Sequence, residues 1–381
     1  IMVERTNAAL GISITASHNP AEWNGLKFIN SKGIFFNFAE NKLLLDTIEK
    51  QKIDTLPIEI LNSISPSPNE ITNEAIDFHI QKALNLKIGK NYIDLEAIRK
   101  NNFKVVVDAI NSSGSIIIPK VLKELNCKVH QINCQANGLF VHQPEPLPEN
   151  LTELAEKVSH FQADLGIAVD PDGDRLVLIN EKGKPISEEL TIVLSVWSYL
   201  LSSDNPKDVK IVVNHSTTQL VDLIANKYGA EVFRTPVGEI NVVEKMMEIN
   251  AEIGGEGSGG VILRDFHLGR DAIAGIVLIL NLLTKTNKKV SELVEQLPKS
   301  TIKKVKLEFN GNFDLLKEKV EAHFKKEQFI DEDGIKFIGT DYWVQLRKSN
   351  TEPIIRIIAE STSEFFTNIL IDKVLGIIKY L

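Results

Sequence analysis

Cysteine is scarce in this sequence, and a long apolar run is missing. Cys127 and Cys134 are the only two cysteines among 381 residues. Two thiols cannot supply the disulfide framework of a secreted domain, so we expect a reducing, cytoplasmic compartment. The longest apolar stretch, Ala272 to Leu283, is shorter than the roughly 20 residues that a membrane helix needs. We therefore expect no membrane partner, and we see no secretory signal pattern.

An excess of positive charge is also missing. The chain has 43 Lys and Arg against 51 Asp and Glu, a net charge of −8. This balance disfavours a general nucleic-acid-binding protein, so we expect no nucleic-acid partner. A phosphate-bearing ligand would need a local group of cations. With 43% hydrophobic and 25% charged residues, the composition is that of a globular protein with two to four domains.

The first informative stretch is the segment Thr15 to Pro20. It follows the apolar run Leu10 to Ile14, which predicts a buried strand. Pro20 has no N–H and disfavours helix at the residue before it. Ser17 is therefore predicted on a tight loop just past a strand end, where open α/β sheets place their ligand sites.

The second informative stretch holds Asp170, Asp172 and Asp174 at alternate positions. Three carboxylates on a tight loop predict a site for a hard cation. A calcium loop of the EF-hand type is the rival, but Arg175 stands at its sixth position, where that loop needs Gly. A solvated acidic turn is disfavoured because like charges this close repel without a cation.

The pattern of elements repeats along the chain. Three times a Gly-containing strand enters a loop and leaves as another strand, from residues 10 to 29, 165 to 179 and 253 to 263. This pattern fits three similar α/β domains, each offering one loop to a shared cleft. Residues 298–381 alternate like half-buried strands flanked by helices, which predicts an α+β domain. Residues 62–69 predict a loop, and residues 71–84 a helix.

Four segments in order resemble the signature loops of the α-D-phosphohexomutases. The resemblance implies three mixed α/β/α sandwich domains and a C-terminal α+β domain around a central cleft. It implies an isomerase that moves phosphate between C6 and C1 of a hexose through a phosphoserine and a hexose 1,6-bisphosphate. The segments are Thr15–Pro20 with Lys27, Asp170–Arg175, Glu256–Gly259 and Arg347–Pro353. The implied domains are 1–87 with the phosphoserine loop, 88–185 with the metal loop, 186–297 with the sugar loop and 298–381 with the phosphate loop.

The resemblance assigns each loop a role. It makes Ser17 the covalent phosphate carrier and Lys27 the general base and then acid. His18 would support the loop, and Arg175 would steady the transferring phosphoryl group. One Mg²⁺ would be held by the phosphate on Ser17 and by Asp170, Asp172 and Asp174. The implied substrate contacts are Glu256, Ser258, Arg347, Ser349, Asn350, Thr351, Arg356, Thr235 and Gly238, with Arg234 beside them.

The substrate is less constrained than the reaction. The loops at 235–239 and 256–260 resemble those of archaeal-type phosphoglucosamine mutases, whereas Asn350 is common in phosphoglucomutase/phosphomannomutase members. Gly260 stands where the family often has histidine. We predict glucosamine phosphates, with mannose and glucose phosphates as the alternative. A non-catalytic phosphosugar-binding protein and a metal-dependent phosphatase are further alternatives, and a monomer or homodimer is expected.

One family segment is not found. The resemblance implies an earlier part of domain one with a Gly-Ile-Arg-Gly motif, which these 381 residues lack. The sequence is therefore interpreted as N-terminally truncated, with complete divergence of this segment as the alternative.

Overall fold

A computed structural model describes residues 1–17, 19, 22–50, 72–325, 327–348 and 353–379. Four of the predicted site residues, His18, Ser349, Asn350 and Thr351, lie outside the described residues. So do the predicted loop at 62–69 and the first residue of the helix predicted at 71–84.

The N-terminal part of the chain forms an antiparallel strand pair. Strand β1 (Leu10–Ile14) pairs with β2 (Leu26–Asn30), and Ser13 lies opposite Lys27. The loop that carries Ser17 joins these two strands, as predicted. The helices of this part are α1 (Met2–Thr6), α2 (Phe38–Lys50) and α3 (Thr72–Leu84).

The prediction that residues 10–14 form a strand is confirmed, but the prediction that they are buried is wrong. Leu10, Ile12 and Ile14 are 45%, 54% and 71% exposed. Their alternation places all three on one face of the strand pair, and none of the described elements covers that face. The opposite face is more enclosed, because Gly11 lies against Val3 and Ile29.

The two middle parts of the chain contain sheets of the same topology. Their strand orders are β6-β5-β7-β8 and β10-β9-β11-β12, with three parallel strands and an antiparallel fourth in each. Apolar residues fill β7, β8 and β12 on both faces, as expected for a sheet covered by helices on both sides. The strands are β3 (Lys87–Ile88), β4 (Asn91–Tyr92), β5 (Lys104–Asp108), β6 (Lys128–Ile132), β7 (Leu165–Val169), β8 (Leu176–Asn180), β9 (Lys210–Asn214), β10 (Glu231–Thr235), β11 (Ile253–Glu256) and β12 (Gly260–Leu263).

Helices cover both sheets and join them in one core. The two most apolar helices, α7 and α10, pack against each other and are buried almost all round. The apolar stretch at 272–283 is therefore a core helix, and none of the described helices is long and apolar enough to cross a membrane. The helices are α4 (Leu95–Asn101), α5 (Gly114–Glu124), α6 (Thr152–Phe161), α7 (Glu189–Ser202), α8 (Leu220–Tyr228), α9 (Glu239–Ile249), α10 (Ala272–Thr286) and α11 (Val290–Glu295).

The C-terminal part is a separate α+β unit with its own core. Its five antiparallel strands follow the order β13-β17-β16-β15-β14. The fold class predicted from the sequence is confirmed, while the domain boundaries remain predictions. The elements are β13 (Thr301–Glu308), α12 (Phe313–His323), β14 (Gln328–Ile330), β15 (Ile335–Ile338), β16 (Tyr342–Lys348), β17 (Ile354–Ser361) and α13 (Glu364–Lys379).

Candidate active site

All four predicted loops join the strands of antiparallel hairpins, and the phosphate loop does so between β16 and β17. The serine loop joins β1 to β2, the carboxylate loop joins β7 to β8, and the sugar loop joins β11 to β12. The last two loops also pair with each other, since the Leu176 N–H donates to the Gly259 carbonyl at 2.9 Å. The EF-hand alternative is wrong, because strand β7 and not a helix precedes Asp170.

Ser17 and Lys27 meet the carboxylate loop through Asp172. Lys27 Nζ lies 2.6 Å from Asp172 Oδ2, and the Thr15 hydroxyl donates to Asp172 Oδ1. The same Thr15 oxygen accepts the Ser17 N–H at 2.9 Å. Ser17 has a φ of +56°, in the left-handed region that serine rarely adopts. This backbone strain is typical of functional loops.

Asp170 and Asp174 present buried oxygens that fit a cation. Asp170 Oδ1 accepts two backbone N–H groups at 3.2 Å, but neither Asp170 Oδ2 nor Asp174 Oδ1 has a hydrogen-bond partner among the described residues. Burial, with the charges of Asp174 and Asp172, raises the pKa of Asp170 well above its usual value. Buried carboxylate oxygens that lack hydrogen-bond partners match the all-oxygen ligand set of Mg²⁺.

Arg270 joins three loops and is a residue that the sequence analysis missed. Its guanidinium lies 2.7 Å from Asp174 Oδ2, 2.8 Å from Glu256 Oε2 and 3.0 Å from Glu239 Oε2. Burial would raise the pKa of Asp174, but the Arg270 guanidinium, with other nearby cations, lowers it below its usual value. One side chain thus bridges the metal loop and the sugar loop.

Gly260 explains how Arg270 fits there. A Cβ at Gly260 would lie 2.2 Å from Arg270 Cδ, so any larger residue would displace the arginine. Gly260 stands where the family often has histidine, and this difference was visible in the sequence. The sequence did not show which side chain fills that space.

The sugar loop is positioned by contacts on both sides. Glu256 Oε1 accepts from Asn214 Nδ2 at 2.8 Å and from the Gly238 N–H at 3.2 Å. A Cβ at Gly257 would lie 2.0 Å from Glu189 Oε2, so only glycine allows this close approach.

The loop at 235–239 contributes mainly through its backbone. The Thr235 hydroxyl is buried and donates to the Pro236 carbonyl at 3.1 Å, while the Gly238 N–H reaches Glu256. Arg234 does not point into this site. Its guanidinium donates to the Thr217 carbonyl at 2.8 Å and pairs with Asp222.

Three cations form a row across the C-terminal sheet. Lys306 on β13 lies opposite Arg356 on β17, which lies opposite Arg347 on β16. Directly opposite residues share a face of the sheet, and like charges so placed are destabilising without an anion. Asp333 lies 3.2 Å from Arg347 Nε and partly offsets the charge of that arginine. Lys306 was not predicted from the sequence, because strand register brings it to the arginines.

The predicted residues line two adjoining cavities that share Arg270. A cavity of about 560 Å³ is lined by Ser17, Lys27, Asp172 and Asp174. A cavity of about 820 Å³ contains the sugar loop and the cation row. Arg175 lines this second cavity and not the first. The residues of the second cavity that bear on function are Arg175, Glu256, Ser258, Lys306, Arg347 and Arg356.

Sequence comparison places this architecture in a known class. The chain matches the phosphoglucomutase/phosphomannomutase α/β/α domains I, II and III at residues 1–54, 81–183 and 189–301, and the C-terminal domain at 303–365. The chain therefore belongs to the phosphoglucomutase/phosphomannomutase family.

Two archaeal relatives and two solved structures illustrate the similarity. A phosphoglucomutase/phosphomannomutase of Thermococcus kodakarensis is 38% identical over 94% of this chain and 76% of its own length. A phosphoglucosamine/phosphogalactosamine mutase of Sulfurisphaera tokodaii is 33% identical over 97% and 80%. The fold is shared with a putative phosphomannomutase of Thermus thermophilus, at TM-score 0.77, 21% identity, and 99% and 80% coverage. It is also shared with Aspergillus fumigatus N-acetylphosphoglucosamine mutase in complex with GlcNAc-6P and magnesium, at TM-score 0.60, 14% identity, and 98% and 90% coverage.

Proposed function

We propose that this protein is a phosphohexomutase that interconverts hexose 6-phosphate and hexose 1-phosphate. The observation that carries the proposal is the pair of adjoining cavities. One holds Ser17, Lys27 and the carboxylate loop, and the other holds the sugar loop and the cation row. This arrangement suits a substrate whose reacting end lies in the first cavity and whose phosphate lies in the second.

Ser17 is proposed to carry the phosphate that is transferred. A sugar hydroxyl attacks the phosphorus of phosphorylated Ser17. The bond from this phosphorus to Ser17 Oγ breaks, and Lys27 takes the hydroxyl proton. The bisphosphate then turns over in the cleft. Its other phosphate returns to Ser17 Oγ, and Lys27 returns the proton to the released sugar oxygen.

The carboxylate loop is proposed to hold one Mg²⁺. Asp170, Asp172 and Asp174, with a phosphate oxygen on Ser17, would be its ligands. When bound, the ion would neutralise phosphate charge and polarise the P–O bond that breaks. Two buried oxygens, Asp170 Oδ2 and Asp174 Oδ1, have no hydrogen-bond partner in the described part of the chain, which supports this assignment. In the ion's presence, Arg270 would hold Asp174 from its other side.

The cation row is proposed to bind the phosphate that is not being transferred. Either end of the sugar must occupy this site in turn, because the bisphosphate reorients between the two transfers. Lys306, Arg347 and Arg356 bind a phosphate through its charge and therefore accept either end. Glu256 and Ser258 would bind the sugar hydroxyls, and Arg175 would meet the substrate where the two cavities adjoin. Ser349, Asn350 and Thr351 are proposed to complete the phosphate site.

Glucosamine phosphates are the substrates that we propose. The Sulfurisphaera tokodaii relative, named as a phosphoglucosamine/phosphogalactosamine mutase, supports this choice. Mannose and glucose phosphates are the alternative, and the name of the Thermococcus kodakarensis relative supports it. We propose a cytoplasmic protein that acts as a monomer or homodimer, consistent with Cys127 and Cys134 as free thiols.

The test is to localise phosphate on the protein and to follow its transfer. The protein is incubated with glucose 1,6-bisphosphate and Mg²⁺, and its intact mass and peptides are measured. One phosphate on Ser17, and conversion of glucosamine 6-phosphate to the 1-phosphate, are expected. The variant Ser17→Ala should lose both, and an active Ser17→Ala would overturn the mechanism.

The same assay separates the alternatives. A faster turnover of mannose or glucose phosphates would reverse the substrate assignment. Steady release of inorganic phosphate without isomerised sugar would identify a phosphatase. Sugar-phosphate binding without phosphorylation or isomerisation would identify a binding protein.

A further inference from the structure

A second cluster of ligating side chains lies outside the proposed catalytic residues. His79 Nε2 lies 2.6 Å from Asp271 Oδ2, and His267 Nε2 lies 3.0 Å from the same oxygen. Among the described residues, this is the one group of three His, Cys, Asp or Glu side chains whose ligating atoms all lie within 4.8 Å of one another. His79 comes from helix α3, and the other two residues come from the segment before α10.

The position of Asp271 leaves one oxygen available for a ligand. Asp271 is the N-cap of helix α10, and its Oδ1 accepts the Ile273 N–H at 2.7 Å and the Ala274 N–H at 3.3 Å. These bonds fix the carboxylate and aim Oδ2 at the two imidazoles.

The donor set favours zinc over magnesium. Two imidazole nitrogens and one carboxylate oxygen are the ligands of many zinc sites, in which water fills a fourth position. Magnesium prefers oxygen ligands only. Adjacent ligands of tetrahedral zinc lie about 3.3 Å apart, given bonds of about 2.0 Å. The separations of 2.6 and 3.0 Å between Asp271 Oδ2 and the two imidazole nitrogens would therefore widen by less than about 1 Å when an ion binds.

The cluster is accessible to an ion from solution. The His79 and His267 side chains are 24% and 13% exposed, while Asp271 is 6% exposed. The buried carboxylate thus meets two partly buried imidazoles, and one of them, His267, also lines the first cavity. The cluster also lies next to Arg270 in sequence, so a bound ion would fix the segment that presents this arginine.

We propose that His79, His267 and Asp271 form a binding site for a divalent transition-metal ion and that zinc is the ion bound. The ion would join helix α3 to the start of α10, two elements separated by almost 200 residues of sequence. The site is distinct in ligand type and in residues from the carboxylate loop at 170–174. It does not depend on the proposed mutase reaction.

The test titrates Zn²⁺ and Co²⁺ into the full chain in the presence of excess Mg²⁺. One ion per chain is expected by calorimetry, with a visible Co²⁺ spectrum of tetrahedral type and a rise in melting temperature with Zn²⁺. The variants His79→Gln and His267→Gln should each weaken binding at least tenfold and remove the rise in melting temperature. His160→Gln, which alters an exposed histidine elsewhere, is the matched control and should bind like the wild type.

Two results would overturn the proposal. One is the absence of a one-to-one Zn²⁺ complex in the wild type. The other is equal Zn²⁺ binding in wild type and both variants. In either case, the cluster is a carboxylate held by two imidazole hydrogen bonds and no more. Circular dichroism of each variant without metal checks that it is folded, so a loss of binding is not confused with a loss of fold.

Discussion

Arg270 Nη2 lies 2.7 Å from Asp174 Oδ2, so a residue of the segment before α10 contacts the loop proposed to hold magnesium. The same guanidinium reaches Glu256 on the sugar loop at 2.8 Å. The two loops are therefore joined by one planar cation that is 9% exposed. Arginine can form several such contacts at fixed angles, whereas lysine presents a single point charge.

Arg270→Lys is expected to lower kcat/KM at least tenfold. A lysine cannot contact Asp174, Glu239 and Glu256 together, and a buried carboxylate left without its partner costs about 1–3 kcal/mol. The loss should fall mainly on kcat, because the arginine positions Asp174. Steady-state kinetics at saturating Mg²⁺ measures it. Arg264→Lys, at a more exposed arginine, is the control, and equal kinetics of the two variants would contradict the role given to Arg270.

Lys306→Ala is expected to raise KM for the sugar phosphate about tenfold with little change in kcat. Loss of one charge-assisted hydrogen bond to phosphate corresponds to about 1.5–3 kcal/mol, and the two arginines of the row remain. Initial rates over a range of substrate concentration give the two constants. Lys303→Ala, on the same strand but bonded to Asn368, should leave KM unchanged. An unchanged KM in Lys306→Ala would remove Lys306 from the phosphate site.

Gly257→Ala is expected to destabilise the protein by about 1–3 kcal/mol, because its Cβ would lie 2.0 Å from Glu189 Oε2. Thermal or urea unfolding measures the change. Gly376→Ala is a matched comparison, since no atom lies within 4 Å of its Cβ and it is inside helix α13. That substitution should stabilise the protein by up to about 1 kcal/mol. Similar melting temperatures for the two variants would show that the Gly257 contact can relax.

Glu189→Gln is expected to flatten the pH dependence of stability between pH 4.5 and 7. Burial raises the pKa of the Glu189 carboxyl from 4.5 to about 7, although Lys304 lies 2.6 Å away. The folded state therefore binds more protons than the unfolded state in this range. The stabilisation that comes from protonating Glu189 in the folded state is fully present below pH 4.5 and is lost as the pH rises through 7.

The measurement is the free energy of unfolding of both proteins against pH. The difference between wild type and Glu189→Gln should change by at most about 1.4 kcal/mol per pH unit in that window. Glu295→Gln, at an exposed carboxylate, controls for the loss of a surface charge. Parallel curves for wild type and Glu189→Gln would mean that Glu189 is ionised throughout.

Short-range patterns in the sequence predicted many residues of the candidate site. A short stretch of sequence is enough to predict the alternating Asp170, Asp172 and Asp174 and the strand–loop–strand segments. These features depend on neighbours within a few residues. The burial of residues 10–14 was predicted wrongly for the opposite reason. Apolar residues indicate a strand, but only the surrounding elements decide whether its face is covered.

The sequence by itself determined the order of the four loops, the residue types that they carry and the fold class, because motif spacing and hydrophobic periodicity are local properties. Only the tertiary structure decided which distant side chains meet. Lys306 reaches Arg356 through strand register, Arg270 fills the space left by Gly260, and His79 meets Asp271 across 192 residues of sequence. These contacts arise from the packing of whole elements, which the spacing of residues along the chain does not predict.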